Sequence, residues 1–138
     1  MKRMIVFLKA FLLPSMGYAA LALPWMTIPA LHVMVAGKEV AWAHDAPGRP
    51  AVADFALKTP LQASTVAITC LRDGINVKSL KISCASGSQK GEAELPANFK
   101  KGDRLTFPVL ISLPQGAAAH CDYSGRAALK PEIEVSFP

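Results

Sequence analysis

The chain has 138 residues, 51% of them hydrophobic, with 15 Lys and Arg against 10 Asp and Glu. Residues 1–43 hold +3 of the net +5, and the remainder sets 11 cations against 9 anions, with no like-charge run longer than Lys100-Lys101. Interspersed charge of this kind excludes nucleic acid as the expected partner and turns the basic balance into a signal of membrane topology. The length allows a single domain after the N-terminal block.

Lys2, Arg3 and Lys9 precede 28 residues, Ala10–Gly37, that carry no formal charge. Cations ahead of so long an apolar run stay on the cytoplasmic side while the run enters the membrane. The expectation is one N-terminal hydrophobic helix over residues 1–43, either a signal anchor or a signal peptide. As an anchor, residues 10–36 cross the membrane, since about 20 apolar residues suffice. As a signal peptide, the block ends at Ala41-Trp42-Ala43, which places small residues at −3 and −1 of a cleavage before His44. Gly17-Tyr18-Ala19 and Ala20-Leu21-Ala22 offer the same pattern earlier, at the cost of a hydrophobic mature N-terminus. His32 reads as an incidental interfacial residue. Either outcome places the rest outside the cytoplasm, on the periplasmic side of an inner membrane or secreted.

Residues 44–50, with two prolines and a glycine, read as a linker. From 51 to 138 the apolar residues alternate, and no helical stripe is sustained. Strands are expected at Val52–Leu57, Thr65–Leu71, Val77–Ala85, Glu92–Leu95, Arg104–Leu113, Ala117–Tyr123 and Glu132–Phe137. Turn chemistry separates them at Arg72-Asp73-Gly74, Ser86–Gly91, Lys100–Asp103 and Pro114-Gln115-Gly116. About seven short strands spaced in this way predict an all-β fold, a small antiparallel two-sheet sandwich of immunoglobulin-like size. Pro108 cannot donate to a ladder, so Arg104–Leu113 is expected at a sheet edge or bulged there.

Cys70, Cys84 and Cys121 are the disulfide candidates, and three cysteines in an oxidising compartment leave one over. Cys70 and Cys84 are offset along a hairpin, so the expected bridge runs from Cys121 to either of them, crossing between the sheets. In His120-Cys121-Asp122, neighbours on a strand point to opposite faces, which separates the imidazole from the thiol. No Cys-x2-Cys pair, nucleophile triad or phosphate loop is present, and no enzyme activity is expected. If cleavage follows Ala43, the amine and imidazole of His44 form a nitrogen pair suited to Cu(II), which His120 closes. In size and placement this arrangement is similar to small periplasmic copper carriers built as β-sandwiches. The first expectation, however, is a binding or assembly module of a cell-envelope complex. It would take a partner strand along the edge that presents Thr106, Pro108 and Leu110. A soluble periplasmic copper-binding protein is the alternative.

Overall fold

The structure, a computed structural model, describes residues 28–46 and 48–138. Residues 1–27 of the expected N-terminal helix, with both early cleavage patterns, lie outside the described residues. What is described is all-β: β1 (Pro29–Val35), β2 (Lys38–His44), β3 (Ala51–Ala56), β4 (Leu61–Arg72), β5 (Ser79–Ser86), β6 (Gln89–Leu95), β7 (Arg104–Leu113), β8 (Ala118–Arg126) and β9 (Glu132–Phe137). They form a five-stranded sheet in the order β2-β1-β9-β4-β7, packed on a four-stranded sheet in the order β3-β8-β5-β6. The seven strands expected from alternation correspond to β3 through β9.

The two additional strands correct the reading of the N-terminal block. Its last residues do not continue an apolar helix but enter the sheet as a hairpin. Leu31, Val33 and Val35 point into the core while His32 and Met34 point out, the two-residue period of a strand. β1 lies between β2, its antiparallel partner, and β9, to which it runs parallel from Leu31 opposite Ile133 to Val35 opposite Phe137. The sandwich is therefore mixed in one sheet rather than wholly antiparallel. Ala36 and Gly37 form the hairpin turn, both in the left-handed region at φ 51° and 81°. That twist suits the two-residue turns favoured between antiparallel strands. Ala41-Trp42-Ala43 lies within β2, with Ala43 facing the core and Trp42 facing out.

Nor is the segment 44–50 a free tether. His44 is the last residue of β2, and the Asp45 amide donates to the Ile28 carbonyl at 2.8 Å. The Asp45 side chain is 3% exposed and faces Lys130, also 3% exposed, at 3.4 Å. The Lys130 ammonium also donates to the carbonyls of Arg49 at 3.1 Å and Ala46 at 3.5 Å. A buried cation with three oxygen partners fastens this connection to the approach of β9, because an unpaired charge at that depth is strongly disfavoured.

Between the sheets lie Leu31, Val33, Val66, Ile68, Ile82, Tyr123, Ile133 and Val135, all at the bottom of the exposure range. The Tyr123 hydroxyl donates to the Pro131 carbonyl at 2.8 Å, which satisfies the one polar atom that this ring brings inside.

Candidate functional site

β7 pairs with β4 on one side only, so it is an edge strand, as Pro108 implies. The register slips between Ala63 and Thr65, where three steps of β7, from Ile111 to Pro108, match two of β4. The strand is thus both an edge and bulged beside Pro108. Leu105, Phe107, Val109, Ile111 and Leu113 turn inward while Thr106, Pro108 and Leu110 turn out, and Leu110 is 87% exposed. An apolar side chain so free of contact, on a strand with an unpaired side, departs from the usual protection of sheet edges.

Part of that edge is already occupied. The Gln89 carboxamide, at the start of β6, donates to the Ser112 carbonyl at 2.9 Å and accepts from the Ser112 amide at 2.7 Å. One side chain here imitates the paired donor and acceptor of a neighbouring strand. It covers the C-terminal end of β7 and leaves the stretch containing Thr106, Pro108 and Leu110 outside its reach.

Cys84 and Cys121 are joined in a disulfide, and the bridge does not cross between sheets. β5 and β8 are adjacent antiparallel strands of the four-stranded sheet, and the two cysteines are direct cross-strand partners with Cα atoms 4.0 Å apart. Sequence parity places both side chains inward, but nothing in it reveals that strands five and eight are neighbours. Cys70 is the unpaired thiol, buried in the opposite sheet. Burial pushes its pKa up, so it stays a thiol, with contacts to the carbonyls of Arg72 at 3.4 Å and Phe99 at 3.9 Å.

The histidines fall into different places from those the sequence suggests. His44 ends β2 on the exposed face, its ring edge-on to Trp42 with centroids 4.5 Å apart. His120 lies on β8, in register with Asp54 of β3 and 3.7 Å from the Asp122 carboxylate. Among the described residues, no three His, Cys, Asp or Glu side chains converge where a metal ion would be held. A free amine at His44 also requires cutting the chain between Ala43 and His44, inside β2.

The most organised polar group involves the histidine that the sequence leaves aside. His32 points out from β1 with its side chain 18% exposed, its Nδ1 2.8 Å from Glu39 Oε1 and its Nε2 2.6 Å from Glu132 Oε2. Glu39 belongs to β2 and Glu132 to β9, so a single ring bridges three strands. Arg72, at the end of β4, places Nε 3.6 Å from the other oxygen of Glu132 and donates from its guanidinium to the Pro29 carbonyl at 3.0 Å. A neutral imidazole has one N–H and one lone pair, and cannot donate to two carboxylates. Partial burial opposes a charge on the ring, but the hydrogen bonds to Glu132 and Glu39 outweigh it and raise the His32 pKa above its ordinary value of 6.5. The alternation Leu31-His32-Val33-Met34-Val35 is the local signal for this site. Its partners, seven and 100 positions away, leave no trace in spacing.

No protein-family model matches this chain, and the comparison with curated proteins finds no relative.

Proposed function

We propose that this protein is an extracytoplasmic β-sandwich that binds or assembles with another cell-envelope component by taking an extended segment of that partner onto β7. The observation that carries this reading is the one-sided pairing of β7 together with the nearly complete exposure of Leu110. Strand addition supplies main-chain hydrogen bonds along such an edge, and alternate side chains set specificity. The Cys84–Cys121 disulfide supports an oxidising compartment.

The place of β1 in the sheet also bears on export. Cleavage after Ala43 would remove a strand whose Ala30, Leu31 and Val33 are wholly buried, which favours a retained anchor or a cut before Ile28. Gly17-Tyr18-Ala19 and Ala20-Leu21-Ala22 both meet that condition. The apolar start they leave, an objection on composition alone, leads directly into a buried strand. Intact mass of the protein purified from cells is expected to give Met1 for a retained anchor, or Ala20 or Leu23 for a removed signal peptide. A first residue of His44 would sink both this assignment and the fold's dependence on β1.

For the partner, a photo-crosslinking residue at Leu110 is expected to form an adduct in intact cells, whereas one at the exposed Val52 of β3 is not. Leu110→Pro is expected to abolish the adduct of a crosslinker placed at Thr106 while the monomer stays folded. An adduct unchanged in the folded Leu110→Pro variant would overturn strand addition.

A further inference from the structure

The cluster around His32 has a consequence that lies beyond partner binding. We propose that His32 is a pH-operated latch, which in its imidazolium form fastens the edge strand β2 across β1 to β9 and on losing a proton lets β2 go.

The geometry makes the two attachments unequal. Glu132 has a second cation, Arg72, within 3.6 Å, and its strand β9 is hydrogen-bonded on both sides, to β1 and β4. Glu39 has His32 as its only ion-pair partner among the described residues, is half exposed, and sits on a strand paired to β1 alone. When the ring holds a single proton it can donate to one carboxylate only. The retained bond is the shorter and more buried one, to Glu132, and the bond given up is the one that secures β2.

The surroundings bias the ring in the same sense. Glu134 lies in register with His32 on β9, and Trp42 is its cross-strand partner on β2. Among the described residues, the charged and titratable groups facing it are Glu39, Glu132 and Glu134, against Arg72 from β4. Lys38 and His44 stand at the two ends of β2. Three carboxylates and one nearby guanidinium leave an excess of negative charge, which a protonated ring reduces. The sign follows from linkage. A histidine with a folded pKa above its unfolded value contributes stability that is complete below pH 6.5 and is lost as pH rises through the folded value. Acid closes the latch and alkali opens it.

What loosens is a defined piece of surface. Lys38, Glu39 and Val40 line one wall of a groove of about 370 Å³, with Val35 and Ala36 at its end and Ala56–Thr59 on the other wall. The latch carboxylate is thus part of the boundary between β2 and β3, the seam where the two sheets meet without pairing.

The test is hydrogen exchange of backbone amides in the purified protein, corrected for intrinsic rates, alongside the NMR titration of the His32 ring. Protection of the Ala41 and Ala43 amides, which face Val33 and Leu31 of β1, is expected to fall about three- to tenfold as pH rises through the His32 titration, the size of one part-exposed charge-assisted hydrogen bond. Ile68 in β4 and Val135 in β9, in the same sheet, should not change. His32→Gln and Glu39→Gln should each remove the pH dependence. Glu39 is half exposed on the edge strand β2, so Glu39→Gln serves even where His32→Gln does not fold. Protection of β2 that stays constant across the His32 titration would overturn the latch. A pH dependence surviving in either variant would do the same, by assigning the effect to His44 or His120.

Discussion

Complete burial leaves a tyrosine hydroxyl one chance at a partner, and Tyr123 takes the carbonyl of Pro131. Tyr123→Phe leaves that carbonyl unpaired in the core, and denaturant unfolding is expected to show a loss of about 1–3 kcal/mol. Burial also pushes the phenol far above its usual range, so an ultraviolet titration should find no phenolate from this ring where exposed tyrosines ionise. Lys130 stands in a harsher setting. Lys130→Met strands the Asp45 carboxylate in the interior and should cost about 3–5 kcal/mol, while the double change with Asp45→Leu should recover most of it. Ala36 stores a smaller strain, because a side chain in the left-handed region of a tight turn is disfavoured. Ala36→Asn should therefore raise stability by about 0.5–1 kcal/mol in the same assay.

At the scale of elements, the disulfide closes a segment of 37 residues between β5 and β8. In the chain-entropy account a loop of that length is worth about 4 kcal/mol, and Cys84→Ala with Cys121→Ala should lose roughly that much in unfolding experiments. A thiol reagent should leave Cys70 unmodified until the protein unfolds, since its sulfur is buried and protonated. These elements also mark the limits of what the sequence reveals. From Ala51 onward, polar residues alternate with apolar ones and turn residues stand between runs, so seven strands and the β7 edge are legible. From Ala10 to Gly37 formal charge is absent, and Leu31-His32-Val33-Met34-Val35 disappears into an apolar run that composition assigns to a membrane. β2 hides more completely. Its inward residues are small, Ala41 and Ala43, while Val40 and Trp42 face out, which inverts the pattern by which strands are recognised. The His32 site and the disulfide pairing depend on which strands become neighbours, a property of topology rather than of local pattern.

For the molecule as a whole, the hairpin β1–β2 belongs to the fold. A chain beginning at His44 is expected to give an unfolded circular-dichroism and NMR signature, and one beginning at Ile28 a folded one. Leu31 and Val33 alone bury side chains worth about 1.5–3 kcal/mol each, a large share of the stability of a domain this size. The parallel pairing of β1 with β9 reaches further. His32 and Glu132 meet across 100 positions, so β1 finds its second sheet neighbour only when β9, the last of the described strands, is available. Contacts so distant make folding slow, on the order of milliseconds to seconds, and closure of the five-stranded sheet waits for β9. Until β9 is in place, β1 and β2 pair only with each other, so the hairpin stays a detached flap and takes its place in the sheet last.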